Sequence, residues 1–417
     1  MTYGTCPQQP SPSMPETAYV TLWFPKPSET FIYREAQVMR RMGMPLTVYA
    51  MYGRLDSHLS DDMLRDDIPV ERLGCRHILP GASDFVYWLK RRPEVFKPLM
   101  ASLLFRRWRC LEQTGENYWA CYCGCHLARR FEETGVRHIH ACWANGPATA
   151  AWVASALTGI PFSFTGRAGD IYPADGALKE KISHAAFTRV DAAFNIDYLR
   201  GFAGGHDEKI VLVRNCLSWE NCQDAPAPMQ PPYHIMALCR FVRTKGLDVL
   251  LRACKALADD GVDFTLTLAG SGPQCLPLKA LVRRLGLTDK VRFPGFVPHD
   301  QVPRILREAD VFVTPSKVVQ SGDRDGLPTV IMEALMHRVP VVATDVGGIR
   351  EVIRDGETGR LIPQLDVEAM KRAILDMLRN RDKALGMAER GRQLILDYYD
   401  SENNARRMIE LICAHSA

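Results

Sequence analysis

The sequence predicts an α/β protein of two parallel-sheet domains facing a central cleft. Three observations carry this: the length of the chain, a regular strand–helix alternation in its second half, and a proline cluster between the halves. The 417 residues exceed what one hydrophobic core usually organises, and chains of this size divide into domains. After residue 233, short apolar runs at 234–239, 264–269, 291–293, 310–313 and 339–343 alternate with helical patterns at 246–259, 276–285, 301–307, 328–337 and 349–353. Strands that are apolar throughout, each followed by an amphipathic helix, mark a parallel sheet covered on both faces. Pro226, Pro228, Pro231 and Pro232 make 224–232 the expected linker. The expected divisions are a flexible leader at 1–18, a first domain at 19–223, that linker, a second domain at 233–396 and a last helix at 397–417. No short fixed repeat is present, which sets aside solenoids and propellers.

The first half is less regular. An apolar strand at 19–24 runs into a loop containing Pro25, Pro27 and Ser28, then a helix through Arg41 and a second strand at 46–51. Residues 83–135 read as helical, with Trp88, Phe96, Leu103, Leu104, Trp108 and Leu111 as apolar anchors. Lys90, Arg91, Arg92, Lys97, Arg106, Arg107 and Arg109 crowd the same stretch. It fits a membrane- or acceptor-facing surface, and equally a solvated face whose arginine stems lie over aromatics. Strands follow at 138–143 and 161–165 around a helix at 146–157. The polar loop at 166–170 then falls where open α/β sheets bind their ligands. Short strands at 190–195 and 210–215 complete this half. Residues 366–414 are expected to be helical with a bend near 397–401, the last helix packing back on the first half.

Composition is that of a folded protein, 47% hydrophobic and 24% charged. The formal charge of +4 is too small to propose a nucleic-acid partner, and none is expected. Residues 1–18 carry four prolines but no apolar run, so a secretory signal is not expected. No apolar segment approaches the roughly 20 residues that span a bilayer. A cytoplasmic location, with contact at the inner face of the membrane, is the expectation. Thirteen cysteines include Cys121, Cys123 and Cys125 beside His126. This alternation lacks the paired Cys-x2-Cys knuckles of structural zinc sites, so packed, reduced thiols are expected and no metal site.

Several strand ends carry candidate chemistry. Arg240, Arg243 and Lys245 precede a helix, joining cations to free amides in a receptor for diphosphate; a plain surface loop has the same composition. Gly270, Ser271 and Gly272 allow a ligand close to the backbone, and match neither the dinucleotide fingerprint nor the P-loop. Phe296, or backbone beside Gly295, offers a nucleobase contact, while Phe293 and Phe296 also suit a core. Gly347 and Gly348 form a turn able to direct amides at a charged oxygen. Asp325 sits in a glycine-bearing loop and Glu333 eight residues on, inside an apolar helix, where a carboxylate needs a partner or ligand. Two carboxylates at a loop–helix junction suit polyol hydroxyls, and helix capping is the competing explanation.

In their order along the chain, Arg240 with Lys245, Gly270-Ser-Gly272, Phe293-x-Gly295, Asp325-x7-Glu333 and Gly347-Gly348 resemble the retaining GT-B glycosyltransferases of family 4, the glycosyl transferases group 1. The resemblance extends to Phe24-Pro-x2-Ser28-Glu-Thr-Phe-Ile32, His138-Ile-His140 and residues 157–165. It covers nearly the whole chain and points to the branch that builds exopolysaccharide, colanic-acid-like and lipopolysaccharide chains. It implies two Rossmann-like domains and a hexosyltransferase that takes a nucleotide-diphosphate sugar as donor, with a lipid-linked or oligosaccharide acceptor. No cofactor is implied, and the absence of an Asp-x-Asp motif from the relevant loops makes metal independence the expectation. Arg240 and Lys245 would hold the diphosphate, Glu333 the ribose, and Asp325 would sit near the transferred sugar. Gly270, Gly272, Phe296, Gly326, Leu327, Ser28 and Asp170 complete the expected donor contacts.

Two positions depart from the pattern. The first acid is usually Glu, and Asp325 is shorter by one methylene. Where related enzymes have a His lining the sugar and acceptor site, this chain has Arg167, which cannot act as a base near neutral pH but can hold a phosphate or carboxylate. The departures keep two alternatives open: a GT-B synthase or phosphorylase using a soluble anionic acceptor such as sucrose or trehalose phosphate, and a non-catalytic subunit of a polysaccharide assembly complex.

Overall fold

The structure, a computed structural model, describes residues 14–53, 59–65, 67–74, 77–108, 110–172, 176–217 and 229–416. The expected leader through residue 13 and the linker at 224–228 lie outside the described residues.

Seven strands form the first sheet: β1 (Thr17–Thr21), β2 (Leu46–Ala50), β3 (Val70–Arg72), β4 (His138–Ala141), β5 (Phe162–Gly166), β6 (Thr188–Val190) and β7 (Ile210–Leu212). Their order is β3-β2-β1-β4-β5-β6-β7 and every pairing is parallel. Helices α1 (Thr30–Arg41), α2 (Asp61–Arg65), α3 (Ile78–Arg91), α4 (Pro93–Leu104), α5 (Leu111–Thr134), α6 (Gly146–Thr158), α7 (Leu178–His184) and α8 (Phe194–Ala203) connect them. β1 takes in Thr17 and Ala18, which the sequence assigns to the leader, and ends at Thr21 rather than 24. The strand expected at 190–195 stops at Val190, and Phe194 already begins α8. Just past the end of β6 the Asp191 carboxylate accepts from Arg167 and Asn215.

The second sheet contains β8 (Tyr233–Leu238), β9 (Phe264–Ala269), β10 (Val291–Gly295), β11 (Val311–Thr314), β12 (Val341–Thr344) and β13 (Arg360–Ile362), in the parallel order β10-β9-β8-β11-β12-β13. Pro294 is tolerated in β10 because β10 is an edge strand. Helices α9 (Leu247–Asp259), α10 (Cys275–Arg284), α11 (Val302–Leu306), α12 (Thr329–Met336) and α13 (Val367–Arg379) flank it. The helix expected at 349–353 is a short 3-10 turn, Gly347–Glu351. Edge strand β13 was not anticipated, its three residues being too few to show a period.

α14 (Arg381–Tyr398) belongs to the second domain, and α15 (Ser401–Ala414) crosses to the first. Ala405, Met408 and Ile412 of α15 are fully buried among Ile32, Met39 and Phe187. The bend between them is fixed by Asp400, whose side chain accepts the Asn403 N–H at 2.7 Å, an N-cap with the residue type such positions favour. The GT-B arrangement implied by the resemblance is therefore the fold observed: two Rossmann-like domains around a cleft, with a C-terminal helix returning to the first.

Charged groups are buried inside the first domain. Arg189 is fully buried and its guanidinium meets Glu35, itself 3% exposed at the side chain. Arg189 also donates to the carbonyls of Val213 (2.8 Å) and Arg214 (3.0 Å), and Tyr19 donates to Glu35 at 3.2 Å. The three cysteines of α5 are buried under α3 and α6. Burial pushes the Cys121 thiol up to about 12 and those of Cys123 and Cys125 higher still, so all three remain protonated packing groups.

Candidate functional site

Parallel strands deliver all their C-terminal loops to one edge. Here the two sheets turn those edges toward each other across a cleft of about 980 Å³. From the first domain come Ser28 and Phe31 after β1, Trp143 after β4, and Arg167 with Ala168 after β5. From the second come residues 240–245 after β8, Gly270–Gly272 after β9, Phe296 and His299 after β10, and the 323–330 loop with Glu333 after β11.

One end of the second-domain wall is cationic. The side chains of Arg240 and Arg243 are exposed into the cleft and make neither hydrogen bond nor ion pair with another described residue. Lys245 lies deeper, its Nζ 2.7 Å from Asp325 Oδ1, with both side chains less than 15% exposed. Ser316 donates to the other Asp325 oxygen, so the carboxylate is held on both sides. Gly270 is needed beside this loop: at φ +130°, a Cβ there would stand 1.9 Å from the Cys239 carbonyl oxygen.

The Gly347–Gly348 turn has a different role from the one its sequence suggests. It does not line the cleft; the Gly348 N–H donates to Gly326 O at 2.9 Å. A Cβ on Gly347, at φ +59°, would fall 2.2 Å from Asp325 O. The glycine pair therefore supports the Asp325–Gly326 backbone from behind, and its amide is committed there.

Glu333 projects from the second turn of α12 and is 15% exposed. His299 Nε2 lies 3.6 Å from its Oε1. Burial disfavours the imidazolium, but the Glu333 carboxylate outweighs it and the His299 pKa is raised above its ordinary 6.5. Arg34 of α1 opposes that rise and Asp62 of α2 adds to it. A raised pKa means that stabilisation is full below about pH 6.5 and is lost as pH rises through the higher folded value. Melting His299→Gln beside the wild type should show the variant less stable at acidic pH, the difference closing at alkaline pH. A gap that widens with pH would contradict the His299–Glu333 pairing.

The first-domain wall centres on Arg167. It is 5% exposed; its Nη1 donates to Asn215 Oδ1 at 2.6 Å and Asp191 Oδ2 at 3.1 Å. The guanidinium lies 4.2 Å from the centre of the Phe31 ring and 5.4 Å from that of Trp143, a cation–π enclosure. Arg167 thus enters the cleft lining with its charge already matched. Asp170, expected among the ligand contacts, is outside the lining. Its carboxylate turns inward and accepts the N–H groups of Ala144 (2.7 Å), Arg167 (3.0 Å) and Ala168 (3.0 Å). It ties the loops after β4 and β5 together and holds Arg167 in place. Lys181, fully buried, completes this frame by donating to Ala144 O at 2.6 Å and Asn145 O at 3.1 Å; burial brings its pKa down to about 7.

The cleft lining brings together Arg240, Lys245, Gly270, Gly272, Phe296 and Asp325 from the second domain. Gly326, Leu327 and Glu333 follow along the same wall, and Ser28 and Arg167 face them. Phe293 is partly buried and packs against the second-domain core, while Phe296, just past β10, is partly buried in the cleft lining. Sequence reasoning missed His299, Ser316, Asp191 and Asn215. A histidine just past the Phe293–Val297 strand end was a usable signal for the first; the others carry no local mark. Among the described residues, no group of three His, Cys, Asp or Glu side chains is arranged to hold a metal ion.

Residues 220–394 match the family model of the glycosyl transferases group 1. Among curated proteins, a GDP-mannose-dependent alpha-(1-6)-phosphatidylinositol monomannoside mannosyltransferase of Mycolicibacterium smegmatis is 34% identical over 45% of this chain and 51% of its own. The amylovoran biosynthesis glycosyltransferase AmsK of Erwinia amylovora is 29% identical over 44% and 45%. The chain spans about half the length of the curated relatives it matches. Among solved structures, Anabaena Alr3699/HepE in complex with UDP and glucose superposes with a TM-score of 0.70 at 16% identity, covering 95% of this chain and 99% of that one. At that identity the likeness is one of fold.

Proposed function

We propose that the protein is a retaining glycosyltransferase that moves a hexose from a nucleoside diphosphate donor to a hydroxyl of a growing glycan, without a metal ion. The observation that carries this is the polarity of a single wall of the cleft. The unpartnered side chains of Arg240 and Arg243 line it together with the Lys245–Asp325 pair and Glu333. Cations suit a diphosphate and carboxylates suit vicinal hydroxyls, so the wall holds a group of the right kind for each polar part of a nucleotide sugar.

Lys245 and Arg240 would bind the diphosphate and offset the charge that grows on it as the anomeric C–O bond breaks. The three cations supply the positive charge that a divalent ion supplies in other transferases. Diphosphate arriving at Lys245 would displace Asp325, freeing its carboxylate to accept from a sugar hydroxyl. Glu333 would accept from the ribose, exchanging His299 for the ligand. In same-face transfer the acceptor oxygen bonds to the anomeric carbon, the bond to the leaving phosphate breaks, and the acceptor proton passes to that phosphate. No protein nucleophile is required. Arg167 is neutralised by Asp191, so it does not favour an anionic soluble acceptor; with Phe31 and Trp143 it would line the acceptor side of the cleft.

A panel of nucleotide sugars incubated with the purified protein and a bacterial lipid-linked glycan fraction tests the reading. Release of nucleoside diphosphate with one donor, stimulated by the fraction, is expected. Donor binding with no turnover across the panel would instead favour a non-catalytic subunit, and full activity on soluble acceptors alone would favour a synthase.

A further inference from the structure

We propose that the α4–α5 corner of the first domain is a docking surface for an anionic lipid bilayer. This deepens the transfer reading by making the acceptor membrane-borne, and in that respect rests on it. Leu111 and Phe105 are 91% and 88% exposed, the highest values among large apolar side chains of the described residues. They flank one short loop. Tyr118, 42% exposed, joins them: it lies two helical turns after Leu111 on the same face of α5, and its hydroxyl donates to Leu104 O at 2.8 Å.

The corner is constructed rather than frayed. Trp108, between the two exposed residues, is 7% exposed and donates to Leu103 O at 3.2 Å. Arg106 lies over the Trp108 ring and bonds Glu180 at 2.5 Å. One aromatic is therefore inside and tied down, while its apolar neighbours are held in water, where each loses the gain that burial would bring.

Charge selects the occupant. Between residues 90 and 112 there are seven arginines and lysines against Glu94 and Glu112; Arg91 and Arg106 are paired with Glu132 and Glu180, while Arg107 is exposed in the loop between Phe105 and Leu111 and Lys97 is exposed two turns back on α4. Apolar side chains set among cations suit insertion at the level of anionic headgroups. Among the described residues no helix is long and apolar enough to cross a membrane, so the contact would be peripheral.

Position ties the surface to the cleft. Trp119 Nε1 donates to Met51 O at 3.2 Å, just past the C-terminal end of β2, and Glu116 accepts the Gly146 N–H at 2.8 Å, just past β4. Both contacts lie at the C-terminal edge of the first sheet, the edge whose loops after β1, β4 and β5 line the cleft. Leu111 lies five to eight residues before them on a continuous helix, so it projects roughly 8–12 Å beyond the sheet on its cleft-facing edge. A bilayer touching this corner would lie beside the first-domain wall that the acceptor must approach.

Flotation of the full chain with vesicles of phosphatidylcholine, alone or mixed with phosphatidylglycerol, tests this. Binding to the mixed vesicles only is expected, weakening with salt. The double variant Phe105→Ser, Leu111→Ser should bind at least about tenfold more weakly, and Lys97→Glu with Arg107→Glu should behave like the wild type in high salt. Calorimetry with a nucleoside diphosphate, run in parallel, should give all variants the wild-type affinity, which also shows that they are folded. Failure of the wild type to float, or undiminished flotation of the double variant, overturns the surface while leaving the transfer reading intact. Self-association that the double variant abolishes, without vesicle binding, would overturn it in favour of a protein partner. Flotation without any nucleotide binding would sink the transfer reading instead.

Discussion

Lys245→Ala is expected to lower kcat/KM with the preferred nucleotide sugar by about 10²–10³-fold, the loss typical when one preorganised donor to a developing oxyanion is removed. Its Nζ sits 2.7 Å from Asp325 in a partly closed cleft, where a charge contact to diphosphate is screened less than on an open surface. Most of the loss should fall on kcat, because charge on the leaving diphosphate grows toward the transition state. Lys245→Arg should recover little, since the planar guanidinium cannot reproduce a point contact between Ser316-bound Asp325 and phosphate. Asp325→Asn offers the opposite signature: nucleoside diphosphate should bind more tightly, with its competitor on Lys245 gone, while sugar transfer falls. Steady-state kinetics with direct binding measurements separate the two. Wild-type kcat/KM in Lys245→Ala would refute the assignment.

Glu35→Ala should produce the largest loss of stability, about 3–5 kcal/mol, a substantial share of the roughly 5–15 kcal/mol that holds a typical domain. The reason is the partner left behind. Arg189 is fully buried, and burial alone would lower its pKa, yet its pKa is raised because the Glu35 charge outweighs that cost. Without Glu35 the guanidinium keeps its bonds to the Val213 and Arg214 carbonyls but loses its counter-charge, and the Tyr19 hydroxyl loses an acceptor. Urea unfolding followed by tryptophan fluorescence would measure the shift. Removing the cation as well, in Glu35→Ala with Arg189→Met, should restore part of the loss, because replacing a whole buried pair by apolar groups is far less costly than breaking it. If the double variant is no more stable than Glu35→Ala, the damage is not electrostatic.

Much of the second domain was legible because its helices and strands are regular enough for period to reveal them. Glu333 stood out for a simple reason, a carboxylate in an apolar helical run, and the structure supplies the partner it needed in His299. Arg240 and Lys245 were visible because a strand end followed by a helix start is a local pattern. The Gly347–Gly348 turn is marked by its two glycines, but its contact, the Asp325 loop, lies about twenty residues away in sequence and no local rule names it. Asp170 failed for a related reason: a strand end tells that a residue is near the cleft edge, and not whether its side chain turns outward to ligand or inward to the N–H groups of Ala144 and Ala168.

The sequence by itself determined the alternation of strands and helices, the division into two sheets, and the residue types at the strand ends, since these follow from period, turn chemistry and charge within a few neighbouring residues. Only the tertiary structure decided which of those residues face each other. Arg167 illustrates the boundary. Its identity poses the question of an anionic ligand, and the answer comes from Asp191 and Asn215, brought to it by the strands on either side. Likewise Leu111 reads as an apolar anchor in the sequence, and only the fold shows that it is left outside with Phe105 while Trp108 between them is buried. Local sequence sets what a side chain offers; the long-range packing of loops and helices sets whether protein, solvent or ligand receives it.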